Sequence, residues 1–141
     1  MKTILVGVDG SAGSAAATAK AVELAKPLKA GLHLVHAVPH AVDAASDPLI
    51  LGDDWSVRRT ERGQRILRDA QSELGKASEL DLKTTLLQGP PADCIAQVAE
   101  RDDVWLVVVG HRDRGAVARK VLGSCADRLL RICPKPVIVV R

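Results

Sequence analysis

Apolar residues recur along this chain in two alternating rhythms. Short β-branched or leucine-rich runs stand at Thr3–Val8, Leu32–Val38, Leu82–Leu87, Val104–Val109 and Val137–Val140. Brief, nearly continuous apolar runs of this kind mark strands buried on both faces. Between them apolar residues return at three- and four-residue spacings, as a helix with one buried stripe requires. Ala17, Ala21, Leu24 and Leu28 form the first stripe, with Ser11 or Ser14 as N-cap and Pro27 marking where that helix ends or bends. Gly31 then punctuates the chain, and Pro39–Trp55, with Pro48 and Gly52, reads as a loop. Ile66, Ala70, Leu74 and Ala77 form the second stripe, in a charged helix from about Ser56 to Ser78 whose arginines face solvent and in which Gly63 is a weak point. After the break Gly89-Pro90-Pro91, a short helix over Ala92–Arg101 turns Ile95, Val98 and Ala99 inward. A last helix covers Ser124–Arg131, and Pro134 and Pro136 end it.

The resulting order is β-α-β-α-β-α-β-α-β. It predicts an α/β fold, an open five-stranded parallel sheet with helices on both faces, Rossmann-like in architecture. In such sheets ligands bind outside the carboxyl ends of the strands, where the strand order reverses. Asp9 and Gly10 end the first strand, Ala37 and Val38 the second, and Gly110 the fourth, so these three ends are the natural walls of one crevice. No repeat or low-complexity tract divides the 141 residues, and a single domain over 1–141 is expected.

Composition narrows the picture. With two Trp, no Phe and no Tyr, the core must be built from Val, Leu, Ile and Ala, and the low aromatic content argues against nucleic-acid readers that stack bases on aromatic platforms. A net charge of +3 is too mild to argue for a nucleic-acid or membrane partner. The three cysteines, Cys94, Cys125 and Cys133, are odd in number and include no CxxC pair, which argues against a disulfide framework or a zinc site and for a reducing compartment. The N-terminus enters the first strand at once, with no signal-peptide core, and no apolar run approaches membrane-spanning length, so a cytoplasmic protein is expected.

The richest chemistry lies after the fourth strand, in Gly110–Ser124. A buried strand ends in glycine, a loop follows in which Arg112, Arg114, Arg119 and Lys120 outnumber Asp113, and Gly123-Ser124 opens a helix. Glycines let backbone N–H groups approach a ligand, and a helix N-terminus favours an anion. Known phosphate motifs fail here. Gly110 and Gly115 have Walker A spacing, but Ala116-Val117 stand where Lys and a hydroxyl are needed. Gly7, Gly10 and Gly13 are spaced GxxGxxG, not GxGxxG. Ser11, Ser14 and Ser124 lie outside any GxSxG elbow. His33 and His36 point to opposite faces of one strand, which weakens a metal cluster with His40; each of these and His111 reads first as a packed or surface histidine, with His36 nearest the crevice. Asp9 is either a ligand-facing carboxylate or a helix cap.

Taken together, these residues resemble the universal stress protein family over nearly the whole chain. The resemblance is carried by ILVGVDGS (Ile4–Ser11) with Ser14, by LHLVHAV (Leu32–Val38), by GPPAD (Gly89–Asp93), by VVVG (Val107–Gly110), by Gly123-Ser124 and by CPKPVIVV (Cys133–Val140). It implies the sheet order 3-2-1-4-5. It also implies a bound adenine nucleotide, ATP first, with or without Mg²⁺, and a regulatory role in stress response with little or no turnover. Gly7, Val8 and Asp9 would contact adenosine, Ala37 would line the adenine slot, and Val109 and Gly110 would meet ribose and phosphates. Gly123, Ser124 and Cys125 would cradle phosphates at the helix start. To these we add Arg112 and Arg114 as phosphate partners from the loop.

The nucleotide-binding branch of the family carries G-x2-G-x9-G-[ST]. Gly110, Gly123 and Ser124 match it, but Asp113 stands where the second glycine belongs. A carboxylate there would repel a triphosphate unless it turns outward, pairs with an arginine or helps hold Mg²⁺. The resemblance further implies a homodimer through the edge strand Val137–Val140, since an unpaired apolar edge invites pairing. Two other functions compete with the nucleotide-binding regulator: a dimeric interaction module whose nucleotide site Asp113 has spoiled, and a weak ATPase, for which no acid/base pair is placed on the loop.

Overall fold

The computed structural model describes residues 1–38, 53–75, 79–111 and 121–141, with side chains in the second segment from Val57 on. Its elements run β1 (Thr3–Gly7), α1 (Ala12–Leu28), β2 (Gly31–Val38), α2 (Asp53–Leu74), β3 (Leu82–Gln88), α3 (Pro91–Ala99), β4 (Val104–Gly110), α4 (Ser124–Ile132) and β5 (Val137–Val140). The five strands form one sheet in the order β3-β2-β1-β4-β5. Every pairing is parallel. The architecture is the expected one, and β3 and β5 are its edges.

Consecutive residues in the central strands are buried, so both faces of the sheet must be covered. Ile4, Leu5 and Val6 in β1, and Val107 and Val108 in β4, are fully buried. Ile4, Val6, Leu32, Leu34 and Val108 face α1 and α2. Leu5, Val35, Val107 and Val109 face α3 and α4, packing with Ile95, Ala99 and Leu129.

Helix α1 begins where the sequence puts a cap. The Ser11 side chain accepts from Ser14 N–H at 3.1 Å. Its buried face is Ser14, Ala17, Thr18, Ala21 and Ala25. Leu28, expected on the stripe, is exposed, because the helix reaches its end there and Lys29 takes the left-handed cap conformation at φ 52°. Pro27 lies in the last turn rather than breaking the helix earlier. Small side chains win the buried face because they let α1 lie close against the sheet. Gly31, read as punctuation, is the first residue of β2, where its N–H donates to the Lys2 carbonyl at 2.9 Å.

Helix α2 starts at Asp53, three residues ahead of the expected start, so the end of the segment read as a loop is helical. Ala77 and residues 39–52 lie outside the described residues. Leu67 and Ala70 are buried, and Arg58, Arg59, Arg62, Arg65 and Arg68 face solvent. Gly63 is no weak point. A Cβ there would stand 2.6 Å from Leu86 Cδ1, 3.0 Å from His36 Cδ2 and 3.1 Å from Val38 Cγ1, so the glycine is what admits α2 to the sheet.

His33 and His36 do face opposite sides of the sheet. His33 is buried on the α3/α4 side, with Nε2 2.8 Å from Thr85 Oγ1. Burial, followed by the charges of Lys83 and Arg101, pushes its pKa below the usual 6.5. The folded state therefore binds this proton less readily than the unfolded chain. Stability is retained above pH 6.5 and falls as the pH drops below it, where the unfolded histidine charges first. Urea midpoints measured from pH 7.5 to 5 should fall in the parent and fall less steeply in His33→Gln; equal slopes would refute this.

Candidate functional site

A cavity of about 410 Å³ opens where β1, β2 and β4 end. The β1 wall is Gly7, Val8 and Asp9, the β2 wall Val35, His36 and Ala37, and the β4 wall Val109 and Gly110. The first turns of two helices close it: Pro90–Asp93 with Ile95 from α3, and Ser124, Cys125, Ala126 and Arg128 from α4. The position follows from topology. The strand after β1 in sequence lies on one side of it and β4 on the other, so the covering helices part at these ends and leave a crevice. The volume suits a small organic ligand.

The walls divide by chemistry. One part is apolar, with Val8 and Val109 nearly buried and Ile95 behind them. Gly7 keeps this region open. A Cβ there would meet Ile95 Cδ1 at 2.9 Å and Val109 Cγ1 at 3.2 Å. Polar groups stand around it, among them Asp9, Ser14, Ser124 and the Asp93–Arg128 pair. The N-terminal turn of α4 borders the cavity, so its partial positive charge favours an anion beside Ser124.

Asp9 does not cap α1; Ser11 does. The Asp9 Oδ1 instead accepts from Ser11 N–H at 2.8 Å, closing a turn through Gly10 at φ 82°, a conformation glycine tolerates best. Ser14 Oγ accepts from the Asp9 N–H at 3.3 Å. The carboxylate is thereby held at the cavity with a second oxygen for a ligand donor. His36 lines the cavity as well. Its Nδ1 lies 2.6 Å from the Val8 carbonyl, which accepts the bond, so the proton sits on Nδ1. Val8 N–H in turn donates to the Val35 carbonyl at 2.8 Å.

Of the residues singled out in the sequence, Gly7, Val8, Asp9, Ala37, Val109, Gly110, Ser124 and Cys125 meet around this one cavity. Gly123 is not among its lining residues. It is buried, its N–H donates to the His111 carbonyl at 2.8 Å, and its own carbonyl accepts from Asp127 N–H at 2.9 Å as α4 begins. Its donor is thus spent on joining the two stems of the loop. Arg112, Asp113, Arg114, Arg119 and Lys120 lie outside the described residues. Sequence reasoning missed Asp93, Ile95 and Arg128 as lining residues. Only GPPAD pointed towards Asp93, and nothing local marks Arg128, whose relevance comes from folding α4 beside α3.

Gly110 has a reason to be glycine that involves no ligand. A Cβ on it would stand 2.8 Å from the Gly13 carbonyl carbon, 2.9 Å from the Gly13 oxygen and 3.2 Å from the Ser14 nitrogen. These are backbone atoms of α1, which no rotamer change can move. Among the described residues no cluster of His, Cys, Asp and Glu could hold a metal ion, and no helix is long and apolar enough to cross a membrane.

Comparison with known proteins is consistent along the whole chain. The model of the universal stress protein family matches residues 1–141. A universal stress protein of Thermus aquaticus is 36% identical over 140 residues, covering 99% of this chain and 98% of that one. The chain spans 47% of the length of some mycobacterial relatives, to which it is 30% identical. Among solved structures, the universal stress protein UspA from Lactobacillus plantarum superposes with a TM-score of 0.83 at 27% identity, covering 99% of this chain and 97% of that one. A universal stress protein crystallised in complex with cAMP superposes with a TM-score of 0.73 at 25% identity, with the same shares covered.

The backbone clash at Gly110 leads to a direct expectation. Gly110→Ala should destabilise the ligand-free protein by about 1–3 kcal/mol, the usual cost of overpacking, because α1 must shift off β4. Urea unfolding without ligand measures it; an unchanged midpoint would return Gly110 to a purely ligand-facing role.

Proposed function

The chain belongs to the universal stress protein family, and on that premise we propose that it binds an adenine nucleotide, ATP foremost, in the cavity at the ends of β1, β2 and β4, as a regulatory protein with little or no turnover. The observation that carries this reading is the pairing of an apolar slot with an anion-favouring helix start in one cavity. Val8, Ala37 and Val109 offer a base and ribose the slot. Asp9 offers a carboxylate for an amino or hydroxyl donor. Ser124 and Cys125, in the first turn of α4, would place the phosphates at the positive end of the helix dipole. The relative solved with cAMP supports an adenine nucleotide in particular. Arg112 belongs to the same reading as a phosphate partner, and Mg²⁺ would accompany a triphosphate rather than occupy a protein-built site.

The competing reading, an interaction module of the same fold without nucleotide, is favoured by one residue, Asp113, at the motif position where glycine is expected. Denaturing the purified protein and assaying released nucleotide, then titrating ATP, AMP and cAMP by calorimetry with and without Mg²⁺, decides between them. Bound nucleotide or saturable heat is expected, and Asp9→Ala should weaken every adenine ligand by about tenfold or more, the loss of one charge-assisted hydrogen bond. Silence from the parent, with binding recovered in Asp113→Gly, would establish the module reading instead.

A homodimer through β5 is part of the proposal. Among the described residues β5 pairs with β4 alone and is an apolar edge. The carbonyls of Pro136 and Val140 accept from Val107 and His111 N–H at 2.9 and 2.7 Å, so by strand alternation Val137 and Val139 turn their backbone groups outward. Val139→Pro removes one outward donor and none of the bonds to β4. Sedimentation should find a dimer for the parent and a monomer for this variant; a monomeric parent at micromolar concentration would count against the dimer.

A further inference from the structure

Arg128 and Asp93 face each other across the mouth of the cavity, and both line it. The Arg128 Nη2 donates to Asp93 Oδ1 at 2.7 Å, and its Nε donates to Asp93 Oδ2 at 3.1 Å. The carboxylate thus fills one side of the guanidinium fork. Arg128 lies four residues after Ser124, one helical turn along the same face of α4. Asp93 lies in the first turn of α3. Arg128 therefore stands a single turn from the helix start that would receive an anionic ligand, and its side chain lines the same cavity.

The pair contributes little to the fold. Its side chains are 57% and 42% exposed, and exposed ion pairs are weak against solvent and salt. The bidentate geometry that suits a carboxylate suits a phosphate equally well, and a phosphate carries more charge. The hydrogen bond from Arg128, ahead of its charge, holds the Asp93 carboxyl below the usual carboxylate range. Asp93 is therefore ionised throughout the neutral range and occupies the fork whenever no ligand does. The neighbouring acid, Asp127, is turned to Arg131 at 3.1 Å and does not enter this exchange.

We propose that Arg128 selects ligands of the cavity by their phosphate charge, and that Asp93 is its internal competitor, surrendering part of the guanidinium when a phosphate arrives. The inference rests on the nucleotide reading of the cavity. Adenosine, which carries no phosphate, would leave the Asp93–Arg128 pair intact. ATP would draw one or both donors of Arg128 toward Ser124.

The test is a calorimetric titration of adenosine and ATP into the parent, Arg128→Gln, Asp93→Asn and the double variant, with urea midpoints confirming that each is folded. Arg128→Gln should weaken ATP about tenfold, the scale of one charge-assisted hydrogen bond, and leave adenosine unchanged. Asp93→Asn should tighten ATP severalfold, again without changing adenosine. The double variant should match Arg128→Gln, because a competitor matters only while there is something to compete for. Arg128→Lys, with charge but no fork, should fall between parent and Arg128→Gln. Equal effects on adenosine and ATP, or weaker ATP binding in Asp93→Asn, would overturn the inference while leaving the nucleotide reading intact. A parent that binds neither ligand would overturn both.

Discussion

Double-sided burial of the two central strands is the constraint from which the rest follows. Ile4, Leu5 and Val6 are consecutive and fully buried, as are Val107 and Val108. Side chains alternate across a sheet, so burying neighbours demands cover on both faces. α1 and α2 supply it on one face, α3 and α4 on the other. Because β1 lies between β2 and β4, the covering helices diverge at its carboxyl end. The cavity is thus a by-product of covering the sheet, and whatever chemistry it acquires must come from the residues that end these strands and start these helices.

The residues at those ends serve two demands at once. Gly110 admits the backbone of α1, and Gly7 gives Ile95 and Val109 room. Gly10 allows the turn that presents Asp9. His36 and Val35 pin the peptide of Val8 from its carbonyl and its N–H. The floor of the cavity is therefore held rigid by contacts internal to the protein, which is the preorganisation a binding site needs. Its mouth is different. There the Asp93–Arg128 pair is exposed and exchangeable, so the same cavity combines a fixed apolar end with an adjustable charged one.

Much of this was legible before folding. Strand positions followed from unbroken apolar runs, and the helix starts from Ser11 and from Gly123-Ser124. The misreadings have a common cause. Leu28 was placed on the buried stripe by hydrophobicity, yet Ala25 holds the interior because α1 lies too close to the sheet for a larger side chain. Gly63 looked like a helix defect, and it is a point where α2 lies too close to the sheet for a Cβ. Gly123, expected as a phosphate contact, also carries a structural duty the pattern did not show, since its N–H joins the stems of the loop at His111. Periodicity reports which side of an element is buried, not how near the neighbour comes or which donor is already taken.

The sequence by itself determined the order of elements, the parallel class of the sheet and the strand ends at which a ligand would sit. These are consequences of local spacing and of the chirality and connection rules of α/β chains. Only the tertiary structure decided that Arg128 and Asp93, 35 residues apart, meet at the mouth of the cavity, that Asp9 spends one oxygen on Ser11, and that Gly110 answers to α1. Local pattern encodes what a residue presents. What it meets depends on separations of a few tenths of an ångström, and those are set only when distant segments pack.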